Sequence, residues 1–152
     1  MEVDYESVEI VRRTHRSQWK ETEGFSLTYL PFIIHAVARS LIDFPRINAS
    51  INDEDLLIHD EINLGVAVDL DFEGLVVPVI RGVDELPLVD LARQIVDVAG
   101  RARARKLSPN DMAGGTFTLT NAGPFGTLLQ FPIINQPQVA ILSTDGVSRK
   151  PA

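Results

Sequence analysis

"LGVAVDLDFEGLVVPVI", residues Leu64 to Ile80, decides the fold. Two apolar runs, "LGVAVDL" and "GLVVPVI", flank the tip "DFEG", the pattern of two antiparallel strands joined by a turn. A hairpin rules out an all-parallel sheet. Pro78 has no N–H for a neighbouring strand, which sends the second strand to a sheet edge or a bulge. Val76, Val77, Val79 and Ile80 are apolar on both faces of that strand, so both faces are expected to be covered.

Toward the N-terminus the pattern changes to helices. Val3 and Tyr5 read as the end of a strand, and Ser7 as the cap of a helix with Val8, Val11, His15 and Trp19 along one side. "KETEGFSLT" is a polar break. Thr28 can cap a second helix, whose first turn tolerates Pro31. Its stripe of Leu30, Ile33, Ile34, Val37, Ala38, Leu41 and Ile42 has the 3–4 spacing of one buried face, and Pro45 stops it. "NASI" and "LLIHD" are short extended pieces.

Beyond the hairpin a third helix begins near Pro87, with Leu88, Leu91, Ala92, Ile95, Ala99 and Ala102 on one face. Asp84 and Glu85 stand ahead of its positive dipole end, and Arg101, Arg103, Arg105 and Lys106 at its negative end. "SPND" is a capped turn with Pro109 at the first helical position. "TFTLT" is a strand with Phe117 and Leu119 on one face and Thr116, Thr118 and Thr120 on the other. "NAGPFGTLLQFPIINQP" is a long irregular connection, and "QVAILST" a strand apolar enough to be central. The fold class expected is α/β in the broad sense, an α+β two-layer sandwich. Its sheet is mixed, with helices on one face.

The totals narrow the chemistry. A chain of 152 residues without repeats or linkers reads as one domain. Its formal net charge of −7 argues against nucleic acid or anionic lipid as the main partner. No apolar run approaches the roughly 20 residues of a membrane span, and "MEVDYESVEI" lacks the order of a secretion signal. Without cysteine there are no disulfides, thiolate metal sites or cysteine nucleophiles. "NAGPFGT" has neither the Lys-Ser/Thr of a P-loop nor G-x-G-x-x-G, and G-x-S-x-G is absent. His35 lies off its helix's apolar stripe and reads as solvated. His59 adjoins Asp60 and Glu61, but consecutive strand residues point to opposite faces, so no metal is expected there. "GRARARK", residues 100–106, reads as a helix end complementing its dipole, with contact to an anionic ligand or partner protein as the alternative.

The threonine row carries the remaining chemistry. For Thr116 and Thr118 a strand preference and an outer face suffice. Thr120 ends the strand and is followed by Asn121 and Gly123. A hydroxyl there can donate to charge forming on a substrate oxygen, with backbone N–H groups nearby.

"LTYLPFIIHAVARSLIDFPRINASI", "INLGVAVD", "GLVVPVIR", "LARQIVDVAGRARARKLSPNDMAGGTFTLTNAGPFGT" and "PIINQPQVAIL" together resemble, in order, the catalytic domain of the dihydrolipoamide acyltransferases. These are the E2 components of 2-oxo acid dehydrogenase complexes. The resemblance covers nearly the whole chain. It implies a chloramphenicol acetyltransferase-like fold that forms homotrimers, from which a larger hollow core is built. It also implies acyl transfer between a lipoyl thiol, carried on a separate domain, and coenzyme A as substrate, without a metal. Partners follow: the lipoyl domain, and the E1 and E3 components through the parent protein, in the bacterial cytoplasm or the mitochondrial matrix. In the family a histidine is base to the attacking thiol, and a serine or threonine of the facing subunit holds the oxyanion. The family's F-T-[IL]-[ST]-N segment matches Phe117 to Asn121, which puts the oxyanion donor on Thr120 and the substrate-binding turn on Asn121 and Gly123.

One departure stands beside the match. The family's D-H-R-x-x-D-G motif belongs somewhat after "PQVAIL", and "STDGVSRKPA" does not contain it. The chain therefore reads as a partial catalytic domain over residues 1–152, lacking N- and C-terminal parts of the family domain and inactive by itself. The alternative reading is a non-catalytic E2-like core or scaffold protein. Oligomers are expected, because a sheet cut short exposes an edge. The acyl group is set by pocket shape, in the neighbourhood of "GPFG" and "LLQFP".

Overall fold

The computed structural model describes residues 2–71, 73–123, 126–127 and 129–149. Helices α1 (Glu6–Glu23) and α2 (Leu30–Asp43) come first, then strands β1 (Ala49–Asn52), β2 (Asp55–Ile58), β3 (Leu64–Val66), β4 (Val68–Asp69), β5 (Leu75–Val76) and β6 (Val79–Ile80). Helix α3 (Leu88–Arg103), β7 (Phe117–Asn121) and β8 (Ile141–Thr144) complete it. The main sheet has the order β6-β3-β7-β8, with β3–β6 antiparallel and β3–β7 and β7–β8 parallel. It is mixed, as the hairpin requires. No helix among the described residues is long and apolar enough to cross a membrane.

The hairpin forms but is broken in both arms. At Ala67 the backbone N–H turns to Leu119 O (2.9 Å), which separates β3 from β4. Opposite it, Val77 and Pro78 interrupt the second arm, and Pro78 accepts from Val66 N through its carbonyl (2.9 Å). A residue without an N–H thus sits at a bulge in the sheet's edge strand, where nothing is lost.

One face of the sheet meets α2 and α3. Leu64, Val66, Ile80, Phe117 and Leu119 are buried against Ile34, Ala38 and Leu41 of α2 and Leu91, Ile95 and Val98 of α3. Two stripe positions differ from expectation: Ile42 is half exposed, and Val98, with the expected Ala102, is buried where Ala99 is only partly so. The sheet's other face is covered too. Residues 137–139 pair with β1, through Ile51 N to Pro137 O (2.9 Å) and Val139 N to Ala49 O (3.1 Å), and lay Gln138 over β7. Gly65 makes room on this face for Val77 and the Thr118 side chain, because a Cβ there would stand 2.7 Å from Val77 Cγ1 and 3.2 Å from Thr118 Oγ1.

Several local expectations are corrected. Val3 and Tyr5 are in no strand, and α1 starts at Glu6 with Asp4, not Ser7, accepting from its first N–H (Oδ1, 2.8 Å). Helix α2 is capped at Tyr29 rather than Thr28. Strand β8 lies at the sheet edge rather than in its centre.

Helix α1 has no fully buried residue, so polar contacts position it. Tyr29 Oη donates to Glu9 Oε2 (2.7 Å), Arg12 Nε donates to the same oxygen (2.7 Å), and the guanidinium lies 4.8 Å from the Tyr29 ring centre. At its other end Arg93 reaches Glu23 (2.7 Å). The Arg12 hydrogen bond, helped by Tyr29, lowers the Glu9 pKa to about 2. A carboxyl with a depressed folded-state pKa stabilises fully above its ordinary value of 4.5 and loses that contribution as pH falls through about 2. Fluorescence of Trp19, the single tryptophan, reads the detachment of α1 in that window. Glu9→Gln is expected to remove this acid step, and an unchanged acid profile in the variant refutes the role given to Glu9.

Candidate functional site

The three threonines of the β7 segment have different fates. Thr116 Oγ1 donates to Asn63 O (3.2 Å) and accepts from Asn63 N (3.1 Å). Thr118 Oγ1 donates to Gln138 Oε1 (2.6 Å), while Gln138 Nε2 donates to Gly115 O (3.0 Å). Both threonines are buried, which corrects the expectation of an outer face: the Asn63 backbone engages Thr116, and Gln138 covers Thr118. Thr120 is half-buried, and its hydroxyl makes no hydrogen bond to another described residue. Among the described residues it is the one hydroxyl of the row without a partner.

After Thr120 the chain turns sharply. Asn121 Oδ1 accepts from Gly123 N (3.0 Å) and from Thr144 Oγ1 (3.2 Å). Ala122 N donates to Thr144 O (3.1 Å), and Gly126 N to Gly123 O (3.0 Å). The backbone N–H groups of Ala122 and Gly123 are therefore engaged, which leaves the Thr120 hydroxyl and Asn121 Nδ2 as the donors this strand end offers among the described residues. Gly123 is required by close approach: a Cβ would lie 2.9 Å from Asp145 O. Thr127 Oγ1 donates to Asp145 Oδ1 (2.8 Å), and Gln130 Nε2 to Thr144 O (3.1 Å). Pro124, Phe125 and Leu128, from "GPFG" and "LLQFP", lie outside the described residues.

Thr127, Gln130, Thr144 and Asp145 were not singled out by sequence reasoning. The only signal was the polar ending "STD" on an apolar strand, and it is uninformative until β8 is known to lie beside β7 in this register.

The other candidates are engaged elsewhere. His59 Nε2 and Ser50 Oγ share a hydrogen bond of 2.7 Å, and His35 is exposed on α2. Arg101 binds Asp97 (2.8 Å) and Asp111 (2.7 Å), and Arg105 binds Glu73. Arg101, then Ser108, holds the Asp111 carboxyl at about 2. The basic run thus fastens the helix end to the "SPND" turn. An apolar groove of about 290 Å³, lined by Val11, His15, Trp19, Leu27, Phe32 and Leu88, lies among the helices and shares no residue with β7 or β8.

Comparison with known proteins gives a consistent result. The 2-oxoacid dehydrogenases acyltransferase (catalytic domain) family matches residues 1–152. The dihydrolipoyllysine-residue acetyltransferase component of the pyruvate dehydrogenase complex of Corynebacterium glutamicum is 41% identical over 152 residues, 99% of this chain and 22% of that protein. The crystal structure of a probable dihydrolipoamide acetyltransferase from Listeria monocytogenes superposes with a TM-score of 0.95 at 39% identity, over 100% of this chain and 64% of that one. The Azotobacter vinelandii dihydrolipoamide acetyltransferase superposes at 0.91 with 35% identity, over 97% and 61%. That structure addresses the role of a serine, a histidine and an asparagine in its catalytic mechanism. The chain thus spans about a fifth of the Corynebacterium relative and under two thirds of these two cores.

Proposed function

Because the chain belongs to the 2-oxoacid dehydrogenases acyltransferase (catalytic domain) family, we propose that Thr120 is the oxyanion donor of acyl transfer between dihydrolipoamide and coenzyme A. The observation that carries this reading is the free, half-buried hydroxyl of Thr120, beside two threonines whose hydroxyls are taken.

The chemistry follows from the thioester. A base removes the proton of the attacking thiol, the thiolate adds to the thioester carbonyl, and its oxygen becomes an anion. Thr120 donates a hydrogen bond to that oxygen, and collapse re-forms the carbonyl and expels the other sulfur as a thiolate, which takes the proton back from the base. The donor is needed only while the oxygen is charged, so it lowers the barrier rather than tightening substrate binding. The Azotobacter structure concerns a histidine with a role in its catalytic mechanism, and the family resemblance makes a histidine the base. In this chain His59 is bonded to Ser50, and none of the three histidines stands in a D-H-R-x-x-D-G motif. The centre is thus read as interfacial: Thr120 of one subunit stabilises charge, and the base is the histidine of a D-H-R-x-x-D-G motif contributed by the facing subunit, a motif not among these 152 residues. A homotrimer, working with a lipoyl domain and the E1 and E3 components, fits that division. Exposed Phe131, Ile133 and Leu57 support burial against a neighbouring copy.

A thiol has a pKa near ~8.5, leaving a few per cent ionised at neutral pH, and a positioned base contributes about 10²–10⁴-fold. The 152-residue chain assayed with acetyl-, isobutyryl- or succinyl-CoA and dihydrolipoamide is expected to fall short of the Azotobacter enzyme by about that factor. Joining a D-H-R-x-x-D-G segment from a relative is expected to restore the rate. Full transfer by the chain alone overturns the divided centre, and no transfer after joining favours a non-catalytic scaffold.

A further inference from the structure

We infer that Asn121 and Thr144 are positioning residues for the Thr120 hydroxyl, and that the end of β8 is the template on which the turn after Thr120 is built. The inference rests on the reading of Thr120 as oxyanion donor. Register sets Thr120 opposite Ser143 and Asn121 opposite Thr144, so β8 ends beside the point where β7 breaks into its turn. Thr144 then meets three groups: its carbonyl accepts from Ala122 N and Gln130 Nε2 (both 3.1 Å), and its hydroxyl donates to Asn121 Oδ1 (3.2 Å). The same Oδ1 accepts from Gly123 N (3.0 Å). One amide oxygen thus joins the turn to the neighbouring strand.

The physical need for such a joint is specific to this position. A donor stabilises a transient anion only if it is held in place beforehand, since any reorganisation during the reaction adds to the barrier. Thr118, within the strand, is fixed by the ladder and by Gln138. Thr120 is next to the last residue of its strand, is paired to β8 but not to β3, and has no side-chain bond to another described residue. The two donors on Asn121 Oδ1 supply the missing constraint through the backbone. Asn121 Oδ1 consequently faces the protein and gives Asn121 a supporting role, while its Nδ2 makes no hydrogen bond to another described residue. Gly123 likewise serves by letting the turn lie against Asp145 O.

The test has two readouts. In the 152-residue chain, Thr144→Val keeps the side-chain volume and removes the hydroxyl. Amide hydrogen exchange of Gly123 is expected to accelerate about 3- to 10-fold, the loss of one hydrogen bond. Thr144→Ser is expected to restore protection, and the Val66 amide, bonded to Pro78 O, serves as the core reference. With the D-H-R-x-x-D-G segment joined, Thr144→Val is expected to lower kcat about tenfold at constant KM, since small misplacements near the chemistry are costly, and Thr144→Ser to recover it. Should Val66 also exchange faster in Thr144→Val, the comparison passes to Asn121→Asp, which keeps the acceptor, and Asn121→Leu, which does not. Equal Gly123 exchange in those two, or unchanged exchange and kcat in Thr144→Val, overturns the positioning role. If Thr120→Val instead leaves kcat intact while Thr144→Val loosens Gly123, the donor reading falls and the anchoring of the turn stands.

Discussion

Replacing Thr120 by valine is expected to lower kcat for acyl transfer about 10²–10³-fold with KM little changed, in the chain joined to a D-H-R-x-x-D-G segment. That is the loss of about 2.7–4 kcal/mol seen when one oxyanion donor is removed. Valine is the right probe because it matches threonine in shape and strand preference while losing the hydrogen to donate. Thr120 has no hydroxyl partner among the described residues, so its removal strands no buried group and stability is expected to stay within a few tenths of a kcal/mol. Thr120→Ser retains the donor and is expected to keep most of the rate. The matched control is Thr118→Val one pleat away. It leaves Gln138 Oε1 without its donor in a buried site and is expected to cost about 1–3 kcal/mol of stability. Steady-state kinetics over an acyl-CoA series, with thermal unfolding of each variant, separates the two. A Thr120→Val protein with full kcat removes Thr120 from the chemistry.

The contrast between these neighbouring threonines shows what the sequence could and could not disclose. Alternation set Phe117 and Leu119 against Thr116, Thr118 and Thr120 correctly, because the period of a strand is local. That Thr118 would be covered depended on Gln138, 20 residues away. Nothing local indicates that residues 137–139 lie along β1 and fold an amide over the sheet. The same limit explains β8. Its apolar content suggested a central strand, but neighbours decide position in a sheet, and the described chain places β8 at the edge. The hairpin of residues 64–80 was legible down to Pro78 at an edge bulge, since a missing N–H restricts a residue wherever it lies. Helix starts were less so. Ser7 and Thr28 are good caps by type, yet Asp4 and the Tyr29 backbone perform the task. For the site, the motif over Phe117 to Asn121 directed attention to Thr120. Only geometry assigned Asn121 Oδ1 to Gly123 and Thr144.

Leu119→Ala is expected to produce the largest loss of stability of any single change considered. Leu119 is wholly buried on the helix-facing side of β7, in one cluster with Leu64, Val66, Leu91 and Ile95. Truncation removes three carbons and leaves a cavity that β3 and β8, hydrogen-bonded on either side of β7, cannot collapse to fill. Such substitutions cost about 2–5 kcal/mol. Against a total stability of about 5–15 kcal/mol, that moves the melting temperature by on the order of 10 °C. The effect reaches function through the backbone. Leu119 O accepts from Ala67 N (2.9 Å), and the next residue is Thr120, so a β7 that settles into the cavity moves the donor with it. A fall in kcat below the melting transition is therefore expected alongside the loss of stability. Leu119→Ile, which keeps the volume, is expected to cost under about 1.5 kcal/mol and to leave kcat within severalfold. Calorimetry and kinetics on both variants provide the check. A Leu119→Ala protein as stable as the parent contradicts the placement of this side chain in the core. Reduced stability with an undisturbed kcat shows instead that β7 is held in place by its neighbours rather than by its own burial.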